Sequence, residues 1–192
     1  MRWRILPFMI LPAFALTVII PWGGISESTA QATAAAKVKV PEGAPTTGNH
    51  PATLAQLMRG MLFPASNVVF FAGGKNPEDV VPARMPSAAT DPLAGAYGKW
   101  EAVNNSALAI VETADLLTVP GRLCSNGRRV PTTNADWPKL VQGLRDAGMK
   151  SYQAALSKNP DKILDATDLL TTACSNCHVK YRDTPKLEDR CR

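Results

Sequence analysis

The chain has 192 residues, of which 45% are hydrophobic, 19% charged and 6% aromatic, with a formal net charge of +5. That length fits one domain, the composition argues against a disordered chain, and few aromatics beside plentiful Ala and Leu favour packed helices over a β-sandwich. The charge is mildly basic and shows no cation run interleaved with aromatics, which argues against nucleic acid as a partner and leaves a solvated surface able to steer an acidic protein.

Residues 1–32 carry the pattern of a secretory signal peptide. A short basic stretch with Arg2 and Arg4 is followed by an apolar run over 5–20, interrupted by Pro7 and Pro12, and then by Ala30, Gln31 and Ala32 as a small-residue cleavage site. The rival reading is an uncleaved anchor, but the run falls just short of the ~20 residues of a comfortable bilayer span. Export implies the periplasm, an oxidising compartment in which cysteines pair or are otherwise consumed. Membrane contact is then confined to the signal segment before cleavage. Residues 33–49, rich in Ala, Thr, Gly and Pro, are expected to be a flexible leader, and 50–192 the folded domain.

Four helical segments follow. Over 51–71, Leu54, Leu57, Met58, Met61 and Leu62 recur at helical spacing. Pro64 removes one backbone hydrogen bond and predicts a kink or brief break near Phe63. The second segment is expected to open at Asp91-Pro92, a cap residue followed by proline. Its apolar stripe is Trp100, Val103, Ala107, Ile110, Val111, Ala114 and Leu117. The third begins near Asn134, with Trp137, Leu140, Val141, Leu144, Gly148, Tyr152 and Ala155 inward, and finishes around Lys158. Asn159-Pro160-Asp161 caps the fourth, whose stripe is Ile163, Thr167, Leu170, Cys174, Cys177, His178 and Tyr181. No segment sustains a period of two. An all-α protein follows, a four-helix bundle with antiparallel helices.

The fourth segment contains "CSNCHVKYR", residues 174–182. On a helix Cys174, Cys177 and His178 stand at i, i+3 and i+4 and project on one side. Cys-x-x-Cys-His is the pattern for covalent attachment of haem c, in which each thiol adds to a vinyl group and the histidine binds iron. A redox dithiol wants a βαβ setting, which a helical chain lacks. A structural zinc site needs four ligands, which Cys124 and Cys191 could complete only by coming to the same place.

A lone Cys-x-x-Cys-His near the C-terminus, followed by x-x-Tyr-Arg on the last of four helices, resembles the class II c-type cytochromes, the cytochrome c′ group. The resemblance covers 51–182 and implies an up-down-up-down bundle with haem on the C-terminal helix. In that class the sixth iron position is either an empty apolar face that binds small gases, or a methionine of the first helix that makes the site an electron carrier. The stretch "LAQLMRGMLFP" offers Met58 and Met61. By itself, methionine at helical spacing is equally core filler. The family's ligand methionine is followed by a basic residue, and Met58-Arg59 matches this, so the resemblance implies Met58 as distal ligand to His178. It puts Met61 one turn on, against the haem. Leu54 departs from the family, which often has arginine four residues before that methionine; Arg59 could take over a propionate contact. By the same resemblance Tyr181 packs by the haem and Arg182 lies near the proximal side, where it is also a favoured C-terminal cation. His50, the other histidine, precedes the helix and reads as a surface or cap residue.

If haem consumes Cys174 and Cys177, then Cys124 and Cys191 remain, and an exported protein seldom leaves two free thiols. A Cys124–Cys191 disulfide is expected, with free thiols or an intermolecular link as the alternative. The leading expectation is an exported monohaem electron carrier, not an enzyme, exchanging electrons with redox protein donors and acceptors; members of the class often dimerise through the first two helices. The rivals are a five-coordinate gas-binding protein and a haem subunit of a larger oxidoreductase.

Overall fold

In the computed structural model, which describes residues 50–184 and 186–191, the first helix starts at a reciprocal cap. Thr53 Oγ1 accepts from Gln56 N–H at 3.3 Å, and Gln56 Oε1 accepts from Thr53 N–H at 2.8 Å. Each side chain thus satisfies a backbone donor left over at the helix start. Helix α1 spans Leu54–Leu57, a π-helical turn spans Met58–Leu62, and α2 spans Phe63–Gly74, without a break between them. The expected kink at Pro64 is instead this π turn. Pro64 has no N–H to donate and its ring crowds the preceding turn. The wider turn absorbs the misfit, with Phe63 N–H donating to Met58 O.

The second helix starts later than Asp91-Pro92 suggests. Asp91 Oδ1 accepts from Leu93 N–H at 2.9 Å, but this caps only the 3-10 turn Pro92–Ala94. Helix α3 spans Lys99–Leu116, after an extended Gly98. Helix α4 spans Trp137–Ser157 and ends on Lys158, which takes the left-handed conformation at φ 48°. Helix α5 spans Pro160–Tyr181, and Asn159 Oδ1 accepts from Lys162 N–H at 3.0 Å. Proline at the first helical position needs no partner for its missing N–H.

The chain is all-α among the described residues: there is no strand, only an isolated antiparallel bridge between Leu123 and Arg129. Helix α2 packs on α3 and α5, and α4 packs on α3 and α5. Val69, Val103, Ile110, Ile163 and Leu170 are fully buried between them. Two crossings are close enough to require glycine. A Cβ on Gly73 would come within 2.5 Å of Thr167 Oγ1, and one on Gly148 within 2.9 Å of Val111 Cγ2. No described helix is long and apolar enough to cross a membrane. The signal segment 1–32 and leader 33–49 lie outside the described residues, which belong to one unit, Val40–Arg192.

The connection between α3 and α4 folds back on itself. Cys124 N–H donates to Arg128 O at 2.8 Å around a turn whose Gly127 has φ +79°. Cys124 and Cys191 form a disulfide, with their Cα atoms 5.0 Å apart. The tail is held by more than this bond. Cys191 N–H donates to Tyr181 O at 3.0 Å, Asn126 Nδ2 to Arg190 O at 2.6 Å, and the Arg128 guanidinium to Glu188 O and, at 3.1 Å, to Asp189 Oδ1.

Candidate functional site

The helices leave a cavity of about 730 Å³ between the first helical stretch, α4 and the last turns of α5. That volume is in the range of small-molecule and cofactor sites, ~300–1,000 Å³. Its walls are mostly apolar, with Leu54, Leu62, Phe70, Trp137, Val141 and Leu144 among them. Cys174, Cys177 and His178 line it from α5, and Met58 and Arg59 line it from the π turn. Residues more than a hundred positions apart in sequence therefore face the same space. The pairing on α5 follows from helix period alone; the approach of Met58 depends on how the first helix packs.

Met61 is not among the lining residues and is 42% exposed. A regular helical period would put it on the face of Leu54, Leu57 and Ala65. The extra residue of the π turn carries it off that face. His50 is exposed and does not line the cavity.

Tyr181 lines the cavity and is held on three sides. Its hydroxyl donates to Asp136 Oδ1 at 2.8 Å and accepts from Asn134 Nδ2 at 3.2 Å. Its ring meets Trp137 edge-on, with centroids 4.9 Å apart. Trp137 is fixed in turn by donating Nε1–H to Leu117 O at 3.1 Å. Asp136 also takes an ion pair from Lys180 Nζ at 2.5 Å. The two donors, Lys180 first and then Tyr181, hold the Asp136 carboxyl below its ordinary range. Arg182 lines the cavity too, and forms two 2.8 Å hydrogen bonds with the Asp183 carboxylate.

Burial sets the protonation of the three motif residues. It raises the Cys174 thiol, against the opposing pull of the Arg182 charge. It pushes Cys177 up to about 11, helped by the nearby Cys174 and Asp136. It lowers His178, assisted by Arg182 and opposed by Asp183. Reactive dithiols have depressed thiol pKa values; this pair has the reverse. Both thiols are neutral near pH 7, and so is the imidazole, the form that binds metal.

A zinc site is not supplied with ligands here. Cys124 and Cys191 are bonded to each other, and among the described residues no three His, Cys, Asp or Glu side chains form a group arranged to hold a metal ion. The donors present suit haem better. Two neighbouring unpaired thiols stand beside an imidazole, a thioether lines the same cavity, and the walls between are apolar.

Asp136, Asn134 and Trp137 frame Tyr181 but have no motif of their own. Trp137 is legible as an apolar helix position. Asp136 shows only as an acid at a helix start, because its partners lie 44 and 45 positions away in sequence. Arg122, only 3% exposed, carries no signal at all in a loop rich in arginine. No protein-family model, curated protein or solved structure matches the chain.

Proposed function

We propose that the chain is an exported, monohaem c-type cytochrome that carries single electrons, with the antiparallel up-down-up-down bundle of the class II group it resembles. The observation that carries this reading is the shared cavity: Met58 of the first helix and Cys174, Cys177 and His178 of the last line one apolar space of about 730 Å³. When bound, haem c would supply a one-electron carrier, and a methionine thioether as a ligand beside His178 would raise its reduction potential.

The chain's residues have distinct roles. Cys174 and Cys177 would hold the group through thioethers. His178 presents a neutral imidazole from the same helix face, and Met58 presents its sulfur from the other wall. Leu54, Leu62, Val141 and Leu144 exclude water. Arg59 places positive charge at the lining, which favours propionates and the electron-rich state, while Arg182 is already paired with the Asp183 carboxylate. Tyr181, fixed by Asp136 and Trp137, closes the end of α5. With both thiols taken up by the covalent attachment and the imidazole by the iron, the role on this reading is carriage of electrons between redox protein partners.

The test is optical. The oxidised wild-type protein is expected to be low-spin, with a sulfur-to-iron band in the far red, and to bind carbon monoxide slowly when reduced. Met58→Ala should abolish the band, whereas Met61→Ala should leave it. A high-spin wild type that binds carbon monoxide readily would replace this function with gas binding.

A further inference from the structure

Arg122 is a buried cation with no carboxylate partner among the described residues. It is 3% exposed, and none of the described ion pairs includes it. Burial of an unpaired charge is unfavourable unless its donors are well used. Here they bind two backbone carbonyls from different parts of the fold. Nε donates to Leu116 O at 3.1 Å, and Nη1 donates to Ala52 O. The neighbouring peptide adds a third link, Leu54 N–H donating to Leu123 O at 2.8 Å.

The two carbonyls have a definite place in the site. Leu116 ends α3, where the partial negative charge of the last carbonyls favours a cation. Ala52 immediately precedes the Thr53 cap of the first helix. Leu54 and Leu117, beside these anchor points, both line the cavity. Met58 lies four residues beyond Leu54, on the same face. The Arg122 fork therefore joins the entry of the Met58 helix to the end of α3.

We propose that Arg122 is a positioning residue: by bridging Ala52 O and Leu116 O it sets where the first helix begins, and so how far Met58 reaches across the cavity. This rests on Met58 being the distal ligand. Lysine could keep the charge but not the fork, since its single ammonium lacks the planar pair of donors. The fork, more than the charge, is what the position uses.

The experiment compares oxidised spectra and carbon monoxide binding in haem-loaded wild type, Arg122→Gln, Arg122→Lys and, as a control, Arg129→Gln in the exposed part of the same loop. All are measured well below their unfolding temperatures, so that a general loss of stability does not alter the readout. The glutamine variant should lose on the order of half or more of its methionine-ligated population. Carbon monoxide should then bind on the order of tenfold faster, while the control matches wild type. The lysine variant should fall between, and it decides by the same criterion if the glutamine variant does not fold. A wild type with the band and an Arg122 variant that keeps it in full would overturn the positioning role alone. A wild type without the band would remove Met58 as ligand and this proposal with it.

Discussion

Replacing Cys124 and Cys191 together by serine should lower stability by about 3 kcal/mol. The two cysteines are 67 positions apart. Closing a loop of that size removes about 15 cal/mol/K from the unfolded chain, or ~4.4 kcal/mol at 25 °C; native-state adjustment and residual structure in the reduced chain usually bring the measured figure down to about 2–4. Equilibrium urea unfolding followed by far-ultraviolet circular dichroism is the assay. With a slope of about 2 kcal/mol/M, the midpoint should move down by roughly 1.5 M. Wild type unfolded in the presence of a reductant should approach the same midpoint. A shift below about 0.3 M at unchanged slope, in both experiments, would refute the argument that this bond constrains the unfolded chain.

Gly73→Ala should destabilise by about 1–3 kcal/mol, because its Cβ would meet Thr167 Oγ1 at 2.5 Å; a double mutant with Thr167→Ala should recover part of the loss in the same unfolding assay. The Asp136 carboxyl is held below its ordinary range by Lys180 and Tyr181. The unfolded chain therefore binds a proton there more readily than the folded one, so its contribution to stability is present above about pH 4 and fades as pH falls through the folded value. Asp136→Asn should flatten that acid limb in stability measured across pH. In protein prepared without haem, Cys177, pushed up to about 11, should be alkylated at pH 8 on the order of a hundredfold more slowly than an ordinary thiol of pKa ~8.5; a rate equal to free cysteine would contradict the burial argument.

What could be read from the sequence was local. Asn159-Pro160 marks a helix start because cap and proline act within one turn, and the folded chain caps there. The face shared by Cys174, Cys177 and His178 follows from helix period. The disulfide was legible because the expected haem attachment would claim two of the four cysteines and leave Cys124 and Cys191. What escaped depends on contacts between distant segments. Asp91 makes a good cap, yet the chain uses it for a 3-10 turn and delays α3 to Lys99. Pro64 announces a disturbance, but whether a helix breaks, bends or widens depends on packing on both sides of it. The widening also changes which methionine faces inward, so Met58 and Met61 are equivalent in a periodic reading and different in the fold. Arg122 and Asp136 find their partners across loops and helix ends that no spacing rule connects.

The Cys124–Cys191 bond turns part of the chain into a covalent ring. Both α4 and α5 lie inside it, with the thiols and imidazole of the motif; the helix bearing Met58 lies outside, joined to the ring by the single chain that runs through α3 and otherwise held by hydrogen bonds and packing. The two faces of the cavity are therefore mechanically unequal. Fluctuations that open the site without full unfolding are expected to displace the methionine side first and to leave the histidine side closed. In the haem protein proposed above, water, a gas or another side chain displacing Met58 would enter through the half of the protein that is free to hinge.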